Sequence, residues 1–399
     1  MTPCPICQKN SVRLLLDLDP QPVTNRFLQK SGPEYLHPMR LGQCEACGLL
    51  QLIDPVPAEE LKPPYEWLTA IEPEGHLDEL ADALARLPGI VKDAHILGLS
   101  EKDSSLLRRM QERGFTNTAS VDFAADLGIT DPSAGIETLE AQWHSDAAKR
   151  VLKRTGAPHL ILVRHVLEHC HDINSFLAGL HALALPENAT LVFELPGCNK
   201  QLNSHDFSML WEEHQFYFTP ETLHGTLTAS GFKVADLRIF PYALEDSLVA
   251  IVKPQNGGGG AASPQHLVAS MSLGLQYAAA FPTQQQRCLE RLRAARQKHG
   301  SIAIFGAGHA GAVFTNIMAL KNEIAFFVDD HPKKNGLLMP GSQLPIKPSS
   351  ALLEEKIGLC LLCLSPESEK KVVAKNGAFV DNGGHFRSIF PARKEAITA

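Results

Sequence analysis

The chain has 399 residues, 44% of them hydrophobic and 20% charged, with a formal net charge of −7. That balance excludes a wholly disordered chain, and without a basic block it argues against nucleic acid as a partner. No run of 18 apolar residues announces a membrane-spanning helix, and the start, MTPCPICQKN, has no apolar signal core, so a cytoplasmic protein with no membrane partner is expected.

Residues 1–62 carry many prolines and two cysteine pairs, Cys4-x2-Cys7 and Cys44-x2-Cys47. Nine cysteines are too few for a disulfide framework in a chain of this length, and paired cysteines in a reducing compartment more often bind metal than each other. Each CxxC can form a tight turn that aims two thiolates at one ion. Two such turns close a tetrahedral S4 site suited to structural Zn²⁺. Gly48, directly after Cys47, eases the second turn. With all four positions taken by sulfur, no coordination site is open for catalysis.

From about residue 75 helix and strand signals alternate. The spacing predicts a helix over 77–87, a strand over 94–99, a helix over 104–113 ended by Gly114, and strands over 119–123, 159–163 and 189–195, with a helix over 175–183. Such alternation implies an α/β unit with a doubly wound parallel sheet, covering 63–253. Asn256 and the run Gly257–Gly260 then read as a linker, followed by a helical stretch over 264–299, so that 254–300 forms a connector. A second α/β unit occupies 301–399. Its Cys360-x2-Cys363 lies in an apolar strand-like run, where residues three apart face opposite ways, so no metal is expected there.

His165-x2-Glu168-His169 follows the strand HLILV. Taken alone, HxxEH matches an inverted zinc-protease motif, but that motif belongs inside a long helix and this one begins at a strand end. The segment resembles the VLEH stretch of class I S-adenosylmethionine methyltransferases. Further on, Trp211-Glu212-Glu213-His214-Gln215-Phe216-Tyr217-Phe218-Thr219-Pro220 and then Ser230-Gly231-Phe232 resemble the matching region of the zinc-containing sugar C-methyltransferases. That resemblance covers nearly the whole chain: an N-terminal zinc-binding module, a central methyltransferase-like domain and a C-terminal Rossmann-like domain. It implies a small-molecule substrate, a keto sugar on a nucleoside diphosphate, and S-adenosylmethionine as methyl donor beside structural zinc. It also implies that His214 is the general base with Glu213 as its partner, that Gly98, Asp122 and His165 lie at the cofactor, and that the C-terminal domain helps bind substrate across an interdomain cleft. Trp211 stands where the family has a tyrosine.

The chemistry suits the pair. Carbon can attack a methyl group only after a carbanion or enolate forms beside the ketone, and imidazole has an ordinary pKa fit for that proton transfer near neutrality. The cofactor loop departs from the family: 95–104 reads His-Ile-Leu-Gly-Leu-Ser-Glu-Lys-Asp-Ser, keeps only Gly98, has Ile96 where an acid is usual, and is about two residues longer. Weak or absent cofactor binding is the expectation there. The later segment 243–248, Ala-Leu-Glu-Asp-Ser-Leu, is altered as well.

In the C-terminal unit, the strand 301–305 leads into Gly306-Ala307-Gly308-His309-Ala310-Gly311, then a helix over 312–320 and a strand over 324–328 ending in Asp329. This is GxGxxG between strand and helix with an acid about 20 residues on, a pattern that seats a diphosphate on a helix N-terminus. NAD is one reading. The tail Asp329-Asp330-His331-Pro332-Lys333-Lys334 resembles sugar-nucleotide-modifying enzymes and favours Gly306, Gly308, Gly311 and Asp329 as substrate-binding residues. Three functions remain open from sequence: a C-methyltransferase on a carbonyl metabolite, a non-methylating acid/base enzyme (isomerase, epimerase or dehydratase) on the same scaffold, and an inactive binding protein.

Overall fold

Two runs rich in β-branched and apolar residues make the middle of a sheet. The computed structural model describes residues 2–65, 72–131, 134–255, 264–393 and 396–398; the glycine run Gly257–Gly260 lies outside them. The chain divides into two units, the first of Met1–Leu14, Leu41–Cys198 and Glu213–Ser272, the second of Leu15–Arg40, Asn199–Glu212 and Leu273–Ala399.

In the first unit, β1 (Thr2–Pro3) pairs antiparallel with the start of β2 (Asn10–Pro22). β3 (Leu36–Cys44) ends on a candidate metal ligand, and β4 (Leu50–Ile53) begins just past the second cysteine pair. The large sheet follows: β5 (Ile96–Gly98), β6 (Thr118–Ser120), β7 (Leu160–Arg164), β8 (Thr190–Gly197), and, after the short β9 (Phe216–Tyr217), β10 (Phe232–Phe240) and β11 (Asp246–Pro254). Among the described residues its order is β10-β11-β8-β7-β5-β6. β5 to β8 are mutually parallel, as expected, but β11 runs antiparallel to both β8 and β10. The difference has a simple cause. Only residues 241–245 join β10 to β11, too few for a crossover, so the pair must form a hairpin.

β7 and β8 are buried on both faces. Ile161, Val163, Leu191, Phe193 and Leu195 join one core with the helices Ser145–Thr155 and Ile173–Ala184. Leu160, Leu162 and Val192 join the opposite core with the helices Leu77–Leu84 and Ser104–Glu112. Period-2 alternation thus sends the apolar side chains of both strands into cores on opposite faces, as a sheet covered on both faces requires. The strand expected over 119–123 stops at Ser120, because Asp122 accepts the Ala125 amide at 2.8 Å and caps a helix, Phe123–Leu127.

In the second unit, β12 (Ile302–Phe305), β13 (Phe326–Val328), β14 (Ile346–Lys347), β15 (Leu359–Leu362) and β16 (His385–Ser388) form a parallel sheet ordered β14-β13-β12-β15-β16. The helix Pro264–His299 starts in the first unit and belongs to the second from Leu273. Cys360 is buried inside β15 and Cys363 just beyond it, and burial pushes both thiols up. No helix among the described residues is long and apolar enough to cross a membrane.

One position tests the second unit's packing. At Gly358 an added Cβ would lie 1.6 Å from the His299 carbonyl oxygen, a backbone atom that cannot swing away. Gly358→Ala is expected to destabilise this unit by about 3 kcal/mol, the upper part of the overpacking range, read in a denaturant titration. A loss under about 0.5 kcal/mol would show that His299 and β15 are not packed this way.

Candidate functional site: a four-cysteine cluster and a histidine–carboxylate cluster

The two CxxC turns are built alike. Gln8 donates its amide to the Cys4 carbonyl at 2.9 Å and Gly48 donates to the Cys44 carbonyl at 2.8 Å. Both residues have positive φ, 57° and 80°, a conformation that glycine adopts freely and glutamine does not. The turns bring Cys4 Sγ to 3.7 Å from Cys47 Sγ, and Cys7 Sγ to 3.5 Å from Cys44 Sγ. A tetrahedral site with Zn–S of ~2.3 Å has sulfurs about 3.8 Å apart, so the donor set fits zinc. Hydrogen bonds from Cys4 and Cys47 hold the Cys44 thiol well below its usual range. Ser11 Oγ at 3.1 Å and the Ala46 amide at 3.4 Å lie against the same sulfur.

The carboxyl ends of β5, β7 and β8 carry a buried ionic network. Ser100 and Asp103 form a capping box around a single 3₁₀ turn, Glu101–Asp103. The Asp103 carboxylate accepts the amides of Leu99 at 2.8 Å, Ser100 at 2.9 Å and Arg164 at 3.1 Å. Arg164, the last residue of β7, grips both Glu194 oxygens at 2.6 and 3.1 Å and donates to the Lys102 carbonyl. Gly98 is packed against this turn: an added Cβ would meet Leu107 Cδ1 at 2.8 Å and Asp103 Cβ at 2.9 Å.

His165 sits directly after β7 with φ of 51°. Its Nε2 is 3.3 Å from Glu194, and its Nδ1 is 3.4 Å from Glu168 and 3.9 Å from Glu72. Burial works against its charge, but these carboxylates raise its pKa to about 10. Glu72 is held at about 2 against its own burial, by His165 and by Lys102, whose Nζ lies 2.9 Å away. His76 Nε2, 3.2 Å from Glu194, completes the network, with Tyr242 OH at 2.7 Å from its other ring nitrogen.

Leu167–His169 forms one 3₁₀ turn, and its Glu168 carbonyl accepts the Gln215 amide at 2.7 Å. That bond draws in the segment before β9. His214 meets His169 edge-to-face, ring centroids 4.8 Å apart, and the donor atoms of Glu168, His169 and His214 all lie within 4.8 Å of one another. Glu168 and His169 are buried and His214 is half-buried. β9 pairs with β4, Leu50 opposite Tyr217, and Leu52 donates to the Gln215 carbonyl at 2.9 Å.

The expected residues therefore fall into separate groups. Cys4, Cys7, Cys44 and Cys47 come together. His214 comes together with Glu168 and His169; Glu213 is buried next to it in the chain. Gly98 and His165 are engaged by the chain's own side chains. Asp122 stays exposed at the end of its strand, one oxygen capping a helix. In the second unit, Gly306 (φ 110°) and Gly311 have packing reasons, since a Cβ would meet the Cys363 carbonyl at 2.5 Å or the Gly306 carbonyl at 2.7 Å. Gly308 has none, with nothing within 4 Å of its Cβ position. Asp329 is tied to the Ala307 amide at 3.2 Å and to Lys334 at 2.9 Å, and Trp211 stacks on His309 at 4.2 Å. Sequence reading missed Asp103, Arg164 and Glu194 as a unit. The signal was present, because single charges within apolar strands (Arg164 in LILVR, Glu194 in LVFEL) are buried charges that need partners.

Three family models match in succession: a "Putative zinc binding domain" over residues 4–61, a methyltransferase domain over 58–237 and a C-methyltransferase C-terminal domain over 265–391. The class is that of the S-adenosylmethionine-dependent C-methyltransferases. The chain belongs to the C-methyltransferase family that joins these three parts. The C-methyltransferase NovU of Streptomyces niveus is 22% identical over 398 residues, covering 96% of this chain and 94% of that one. Among solved structures, a Burkholderia thailandensis 1,6-didemethyltoxoflavin-N1-methyltransferase with bound S-adenosylhomocysteine is 15% identical, over 46% of this chain and 80% of that one, with a TM-score of 0.30. A Streptococcus agalactiae protein of the NADB-Rossmann superfamily is 10% identical over 64% of this chain and 99% of that one, with a TM-score of 0.28.

The family's methyl donor meets a mixed fit. Exposed Asp122 suits the ribose of such a cofactor. At the methionine end the residues do not fit, because Asp103 already takes the Leu99 and Ser100 amides and Gly98 faces packed side chains.

Two outcomes follow. Metal analysis of the purified protein should give about one zinc per chain, lost in Cys44→Ser/Cys47→Ser; a folded preparation without metal would overturn the assignment. His165, whose folded pKa is raised above the ordinary imidazole value of 6.5, contributes stability that is complete below 6.5 and is lost as pH rises through about 10. Unfolding midpoints measured from pH 6 to 10.5 should fall with pH, and His165→Gln should flatten that slope.

Proposed function

We propose that the protein transfers a proton at the carbon beside the carbonyl of a nucleotide-linked keto sugar, with His214 as general base. The observation that carries this reading is the cluster of half-buried His214 with buried His169 and Glu168. A base partly open to substrate, held by rigid neighbours with a carboxylate at hand, suits abstraction of a carbon-bound proton. Glu213, buried beside His214, is the second carboxylate that orients or tunes the imidazole. In the second unit, the Gly306–Gly311 turn is proposed to bind a diphosphate, supported by the open space at Gly308. Zinc at the four cysteines is structural. The family relationship supports a carbonyl metabolite as the substrate class, since C-methylation requires the same deprotonated carbon.

The test is solvent exchange. A nucleoside-diphosphate-linked keto-deoxysugar incubated with protein in D₂O should take up deuterium next to the carbonyl, followed by NMR. His214→Ala should slow exchange by ~10²–10⁴-fold, the range a general base contributes, while keeping the zinc content and unfolding midpoint. Equal exchange by wild type and variant would remove His214 from the reaction.

A further inference from the structure

In open α/β sheets, ligands lie outside the carboxyl ends of the strands, where the strand order reverses. In the first unit that point falls between β5 and β7, since β6 extends the sheet on one side and β7 and β8 on the other. A cofactor with an amino-acid tail would need three things there: free backbone amides for its carboxylate, a glycine surface for close approach, and open volume.

The chain supplies its own substitutes for all three. The carboxylate on the Leu99 and Ser100 amides is that of Asp103, and the same group reaches across to the Arg164 amide, bridging β5 and β7. The cation beside it is the Arg164 guanidinium, neutralised in turn by Glu194. Gly98 presents its Cα to Leu107 and Asp103. Leu99, Ser100, Asp103, Arg164, His165 and Glu194 are all at most 5% exposed. The 3₁₀ turn Glu101–Asp103 folds Asp103 back under the amides that precede it.

Resting on the reading of His214 as base, we propose that this edge is closed to the methionine end of S-adenosylmethionine, so that proton exchange at the substrate carbon proceeds without methyl transfer. The step balances without a co-reactant. The carbon–hydrogen bond breaks, its proton passes to the imidazole of His214, and its electron pair enters the enolate. The imidazolium exchanges its proton with solvent and returns one to carbon. Return to the same face exchanges the carbon-bound hydrogen with that of water.

Two measurements on the full-length, zinc-loaded protein separate the claims. Calorimetry with S-adenosylhomocysteine and with S-adenosylmethionine should show no binding tighter than about 1 mM. In D₂O, with S-adenosylmethionine present, the keto-deoxysugar nucleotide should gain deuterium and no methyl group by mass spectrometry. Micromolar binding of either ligand, or a methylated product, overturns the closed edge and leaves His214 as base. No binding together with no exchange overturns the proton exchange through the failure of His214 itself.

Discussion

The carboxylate of Asp103 and the guanidinium of Arg164 set the character of the first unit's carboxyl edge. Neither group tolerates burial alone, because a charge taken from water without a partner costs several kcal/mol. Asp103 answers that cost with three backbone amides, and burial still pushes its pKa up to about 7. Arg164 answers it with a two-pronged grip on Glu194, the geometry in which an arginine–carboxylate pair is strongest. Glu194 must then serve Arg164, His165 and His76 together, and hydrogen bonds from His165, His76 and Arg164, with the charge of Arg164, hold it well below the usual carboxylate range despite burial. Removing any one member strands the others, so the network acts as a unit that ties three strands at the edge where the fold would otherwise open a crevice.

That closure changes how the histidine–carboxylate cluster should be understood. Glu168 faces two ways: its side chain lies 3.4 Å from charged His165, and its donor atom also lies within 4.8 Å of His214. Glu168 thus stands between His165 and the His169–His214 pair. The ionic network and the histidine cluster are therefore contiguous, with Glu168 as the link.

Much of this was legible in the sequence, for reasons that can be stated. The CxxC pairs were readable because their chemistry is local: each turn closes within five residues. The apolar runs of β7 and β8 were readable because burial on both faces makes most of their positions apolar. Asp122 misled because a strand-like run, ASVDF, ends on a residue that caps a helix better than it extends a strand. The hairpin of β10 and β11 was missed because the alternation of helices and strands says nothing about the direction of the last pair. The association of Arg164 with Glu194, or of His214 with Glu168, could not be read from spacing, since 30 and 46 residues of chain separate the partners and only the sheet order brings them together.

The same sheet order gives the cysteine cluster a reach beyond its own turns. Cys47 and Gly48 lead within two residues into β4, and β4 pairs with β9. β9 begins two residues after His214, and the Leu52 amide bonds the carbonyl of Gln215 between them. From the other side, the Gln215 amide bonds the Glu168 carbonyl. The backbone that carries His214 is thus clamped at one residue by two bonds, one from the cysteine module and one from the turn after β7. A four-sulfur site makes a rigid anchor, because every coordination position is filled and the turn geometry is set by the ion. A small displacement of β4 would shift the Gln215 backbone and the adjacent His214 with it. A metal with no open coordination position would in this way help fix the segment that bears the His214 imidazole, and with it the acid/base role proposed for that residue.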